Sequence, residues 1–111
     1  MANDCIFCKI VAGELPATKV YEDEEILAFN DIHPKASTHL LVIPKKHIAN
    51  LNELTTQDHD LMARLMLSLP KIAQQQGLEG FRVIVNNGPG SGQIVFHLHF
   101  HILGGAVIPT F

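Results

Sequence analysis

The stretch Phe96-His97-Leu98-His99-Phe100-His101-Ile102 sets the frame for the whole chain. Side chains alternate across a strand, so His97, His99 and His101 fall on one face. Phe96, Leu98, Phe100 and Ile102 fall on the other and are expected to pack the core. This predicts a strand over Val95 to Leu103 that carries a row of imidazoles. Imidazole is the side chain whose unperturbed pKa permits proton transfer and nucleophilic attack near neutrality. On the residues alone three readings stay open: an exposed polar face, a metal site, or a catalytic row. Alternate residues on a strand lie about 7 Å apart, which puts the outer two histidines about 13 Å apart at Cα. With zinc–nitrogen bonds of about 2 Å, two of them reach one ion easily and all three only with heavy distortion.

Directly before this strand lies Asn86-Asn87-Gly88-Pro89-Gly90-Ser91-Gly92-Gln93. Glycines let backbone N–H groups approach and surround an anion. An ordinary strand connection has the same composition. Its position favours a phosphate cradle, because the loop runs straight into the imidazoles.

Further out, Cys5 to Ala12 reads as a short helix ended by Gly13. Lys19 to Glu22 and Ile26 to Asn30 read as strands joined at Asp23-Glu24, and Thr38 to Ile43 as an apolar strand stopped by Pro44. Thr55 to Gln76 is the long helix, with Thr55 and Asp58 as a capping-box start and Gly77 as its stop. Leu61, Leu65, Leu69, Ile72 and Ala73 give it one apolar face. Pro70 is expected to kink or interrupt it. Phe81 to Val85 is a further strand. Short strands with one long helix predict an α+β domain on an antiparallel sheet.

A chain of 111 residues, with 47% hydrophobic and 17% charged residues, suits a single globular domain spanning 1–111. The net charge of −3 excludes the basic field of a nucleic-acid binder. No stretch is long and apolar enough for a membrane span and no signal peptide is visible, so the expected compartment is the cytoplasm. Cys5 and Cys8 form the one cysteine pair, which suggests metal or redox chemistry there. Asp31 could accept two hydrogen bonds from a ribose diol. Ile6, Phe7, Ile10 and Ile32 could form an apolar slot for a base. His33 and His59 read as surface residues.

The sequence resembles the histidine-triad (HIT) family of nucleotide hydrolases and transferases. His97-Leu98-His99-Phe100-His101-Ile102-Leu103 fits its signature, supported by Ile6-Phe7-Cys8-Lys9-Ile10, Ala28-Phe29-Asn30-Asp31-Ile32, the run from Thr38 to Ile48, and Val85-Asn86-Asn87-Gly88. It looks most like the purine nucleoside phosphoramidase, or histidine triad nucleotide-binding, branch. The resemblance implies a five-stranded antiparallel sheet with two helices, joined across a homodimer. It implies that His99 attacks the α-phosphorus of a purine nucleotide substrate and becomes adenylylated, after which water releases AMP. His101 would contact the phosphate, and His39 and His97 would complete the constellation. Asp31 and Ile32 would hold ribose and base; Asn86, Gly92, Gln93 and Ile94 would lie along ribose and phosphate. No catalytic cofactor is implied.

Ile94 departs from the branch, which often carries serine there, and so puts the leaving group in question. The resemblance also implies a structural zinc on Cys5, Cys8, His47 and His97, with two free thiols as the alternative. In the zinc reading His97 would fix the strand rather than move protons. The tail from Gly104 to Phe111 is apolar enough to be expected at the dimer interface. Alternative functions are a dinucleoside polyphosphate hydrolase of the fragile-histidine type, a non-catalytic nucleotide-binding scaffold, and a zinc-binding module.

Overall fold

Five short segments, most of them rich in apolar and β-branched residues, build the sheet. In a computed structural model describing residues 4–105, the strands are β1 (Lys19–Glu22), β2 (Ile26–Asn30), β3 (Thr38–Pro44), β4 (Phe81–Ile84) and β5 (Phe100–Gly104). All pairings are antiparallel and the order is β1-β2-β3-β5-β4. Helix α1 (Ile6–Val11) covers one face and α2 (His59–Gln75) the other. Among the described residues no helix is long and apolar enough to cross a membrane.

Strand alternation divides the core between the helices. Ile26, Ala28, Leu40, Val42, Phe100 and Ile102 pack with Leu61, Leu65, Leu69, Ile72 and Ala73 of α2. Leu27, Phe29, Leu41 and Ile43 pack with Phe7 and Ile10 of α1. Both faces of β2 and β3 are covered, so these strands read as continuous apolar runs. α1 is too short to cover its face completely, and a cavity remains beside it.

Three sequence expectations are corrected. The helix entry is split: Thr56–Asp58 is a 3₁₀ turn, closed by the reciprocal Thr55–Asp58 capping box, and α2 begins at His59. α2 then runs unbroken through Pro70. Pro70 sits on the exposed side of the helix, while Leu69, Ile72 and Ala73 hold the opposite side on the sheet.

The histidine strand also starts later than expected, at Phe100 rather than Val95. The register pairs Leu40 with Ile102 and Val42 with Phe100, so Leu98 comes next, opposite Pro44. Pro44 has no N–H, and its carbonyl accepts from the His97 ring at 2.7 Å. The ladder stops there, and Leu98 N–H donates instead to Ile48 O at 2.6 Å. Alternation outlasts the ladder: Leu98 stays in the α2 core while His97 and His99 face α1. Phe96 does not join that core and is 42% exposed.

Candidate functional site

A cavity of about 860 Å³ opens on the α1 side of the sheet. Its wall includes His39, His99 and His101 together with Asp31, Asn86 and Gly92. Ile6, Phe7, Ile10 and Ile32 line it as well, so the fold brings the whole expected apolar slot to one place. Phe7 packs edge-on against the His99 ring, with centroids 5.2 Å apart, and against Phe29 at 5.4 Å. Ile32 is 85% exposed and stands at the mouth.

Hydrogen bonds fix the ring tautomers. A carbonyl only accepts, so the 2.7 Å contact of His99 Nδ1 with His97 O places the proton on Nδ1. The lone pair of His99 then sits on Nε2. Lys35 N–H donates to His39 Nδ1 at 3.0 Å, which places the neutral His39 proton on Nε2. His39 Nε2 in turn lies 2.9 Å from His101 Nδ1 and donates to it. His101 therefore carries its own proton on Nε2.

Burial favours the neutral form of His101 and His39. It pushes His101 down to about 4, helped by the neighbouring His99 and His39. It also lowers His39, against the opposing pull of Asp31. His101 is thus an N–H donor at neutral pH, not a cation.

His97 stands apart from the cavity. Its ring is fully buried and driven down to about 4 by that burial. Nε2–H donates to Pro44 O, so the Nδ1 lone pair faces Cys5 Sγ at 3.3 Å and Cys8 Sγ at 3.5 Å. Cys8 Sγ also lies 3.2 Å from His47 Nδ1. The four donor atoms fall within 4.8 Å of one another. Tetrahedral zinc with sulfur and nitrogen ligands has S···N edges of about 3.5 Å, so this donor set fits that ion. Cys5 caps α1 by accepting from Cys8 N–H at 3.2 Å, which brings both sulfurs to one end of the helix. Burial raises the Cys8 thiol to about 11.

Asp31, His39 and His101 also converge within 4.8 Å. They suit a hydrogen-bond chain better than a metal, because His39 Nε2 carries a proton and has no lone pair to offer.

The glycine loop is more self-contained than expected. Gly88 and Gly92 adopt φ of 88° and 98°, which only glycine takes easily, around a 3₁₀ turn at Pro89–Ser91. Gln93, expected along the phosphate, is buried and points into the loop. Its Oε1 accepts from Gly88 N–H at 2.7 Å, and its Nε2 donates to Ala49 O and Val95 O. The N–H groups of Ser91, Gly92 and Gln93 also bond within the loop. Gly92 and Ile94 reach the cavity, and Ile94 is 84% exposed.

His33 and His59 are exposed as expected, although His33 lines the cavity rim. The carbonyl of Pro44 and the N–H of Lys35 escaped sequence reasoning, because backbone groups leave no residue-type signal. Residues 106–111 of the tail, expected at a dimer interface, lie outside the described residues.

This sheet, with histidines aimed into a cavity beside a short helix, is the architecture of the histidine-triad class. The HIT domain matches residues 12–107. An uncharacterised HIT-like protein of Synechococcus elongatus is 52% identical, over 95% of this chain and 93% of its own. A HIT family hydrolase from Legionella pneumophila superposes with a TM-score of 0.89 at 52% identity, covering 92% of this chain and 93% of its own. A histidine triad protein from Clostridium difficile gives 0.91 at 49% identity, covering 97% and 96%. The chain belongs to the HIT family.

Proposed function

We propose that the protein hydrolyses purine nucleoside 5′-phosphoramidates, or related AMP conjugates, through a nucleotidyl-histidine intermediate. The observation that carries this is the bond from His99 Nδ1–H to His97 O, which leaves a lone pair on Nε2 of a cavity-lining ring. That lone pair attacks the α-phosphorus. The bond to the leaving group breaks, and the amine departs with the electron pair and takes a proton from solvent. The adduct is an imidazolium, and the His97 carbonyl stabilises its charge. Water then attacks phosphorus, the P–N electron pair returns to Nε2, and AMP leaves with one water proton passing to solvent.

His101 Nε2–H donates to a phosphoryl oxygen as charge builds there. Asp31 takes the ribose hydroxyls, while Phe7, Ile10, Ile6 and Ile32 sandwich the base. Asn86, Gly92 and Ile94 border the phosphate side. The hydrolase name of the Legionella relative agrees with this reading.

Cys5, Cys8, His47 and His97 would hold a structural zinc. When bound, that ion supplies rigidity, clamping α1 to the segment before β5. The protein would act as a cytoplasmic homodimer. The sheet ends in edge strands β1 and β4, and Val83 on β4 is 41% exposed, so a second copy pairing there would extend the sheet.

Steady-state hydrolysis of adenosine 5′-phosphoramidate, compared with a dinucleoside polyphosphate, tests the assignment. Faster turnover of the phosphoramidate, abolished in His99→Ala, is expected. Preference for the polyphosphate would move the protein to the fragile-histidine activity. Nucleotide binding without turnover of either would leave a scaffold.

A further inference from the structure

Asp31 is tied to the histidines twice over. Its N–H donates to His39 O at 2.9 Å, and its Oδ2 lies 3.4 Å from His39 Nε2. Its other oxygen, Oδ1, is held by His33 N–H at 2.8 Å. The single proton on His39 Nε2 therefore faces two acceptors, Asp31 Oδ2 and, at 2.9 Å, His101 Nδ1. Lys35 N–H fills the other side of the ring and prevents it from turning its tautomer round. The proton shared between these acceptors decides how firmly His101 keeps its own proton on Nε2.

The geometry points to His39 as a positioning residue that couples ribose recognition at Asp31 to the phosphate donor His101. This rests on the proposed reading of the cavity as the site where His99 attacks an AMP conjugate. A ribose diol donating to the Asp31 carboxylate satisfies the oxygen that competes for the His39 proton. The His39 Nε2–H then donates to His101 Nδ1 alone, and His101 is locked as an Nε2–H donor. Remote binding energy is thereby realised at the reacting phosphate. The diol should raise the rate of the chemical step as well as tighten binding. No proton leaves its ring nitrogen in this coupling; only hydrogen-bond partners change.

The test uses adenosine 5′-phosphoramidate and its 2′,3′-dideoxy counterpart, with adenylylation of His99 followed in single turnovers at saturating substrate. In the wild-type protein, removing the diol is expected to slow adenylylation by roughly fivefold or more, the low end of coupling between sites, besides raising KM. In His39→Ala the diol should still lower KM but no longer change the adenylylation rate. His39→Gln, whose amide N–H can stand near the position of Nε2–H, should recover part of the effect on rate. A diol effect confined to KM in the wild-type protein overturns the coupling. So does an undiminished effect on rate in His39→Ala. If His99 is never adenylylated by either substrate in the wild-type protein, the reading of the cavity itself fails, and the coupling with it.

Discussion

The backbone carbonyl of His97 accepts the Nδ1–H of His99 at 2.7 Å, while the His97 ring faces the thiols of Cys5 and Cys8. One residue thus orients the proposed nucleophile with its main chain and closes a four-donor cluster with its side chain. Phe7, between the two cysteines in sequence, packs against both rings. The cluster and the cavity share one support.

Metal content should reflect that cluster. Protein purified without added zinc is expected to contain about one equivalent, lost in Cys5→Ser, with a lower thermal midpoint in the variant. Elemental analysis and calorimetry check this. Less than roughly a tenth of an equivalent, with Cys5→Ser melting unchanged, would remove zinc from the account.

Acid should weaken the fold through His101. Its folded pKa of about 4 lies below the ordinary histidine value, so between pH 6.5 and 4 the unfolded chain binds more protons. Stability is then full above the unfolded value and declines as pH falls through this window. At pH 5 the loss from this residue is on the order of 1–2 kcal/mol. Denaturant titrations at pH 7 and pH 5 should show it, and His101→Asn should shrink that difference, leaving the part due to His97 and His39. An equal pH dependence in the variant would contradict the assignment.

Gln93 should be a loop staple and not a substrate contact. Gln93→Leu strands Gly88 N–H and the Ala49 carbonyl, at a cost of roughly 1–3 kcal/mol. A lowered denaturant midpoint at constant slope is the expected readout. A stable variant with only a raised KM would return Gln93 to the phosphate.

Much of this was legible in the sequence, and the exceptions have physical causes. The alternation of His97, His99 and His101 with Leu98, Phe100 and Ile102 carried both the core face and the site face, because side-chain period is a local property. The runs in β2 and β3 were legible because two helices cover them. The strand start at Phe100 was not, since it depends on Pro44, a partner brought opposite Leu98 by β3–β5 pairing. Pro70 misled because its cost is offset by packing of neighbouring residues on the sheet. Gln93 misled because a polar residue in a glycine loop serves ligand or loop equally well until its partners are known. His47 joins the cysteines only in three dimensions; the family resemblance, not spacing, pointed to it.

Ile94 should limit amine departure. Its exposed side chain lines the cavity and offers no hydroxyl. Ile94→Ser is expected to raise phosphoramidate kcat/KM, by up to about 10²-fold if the hydroxyl acts as a proton donor. An unchanged or lower rate would count against a missing donor.

Turnover by the proposed route requires Nε2 of His99 to form a bond to phosphorus. Mass spectrometry of protein quenched during turnover of adenosine 5′-phosphoramidate tests this most directly. An AMP adduct is expected on the peptide containing His99, localised to that residue and absent from His99→Ala. An adduct on a different residue, or rapid AMP release with no adduct at any quench time, would contradict it.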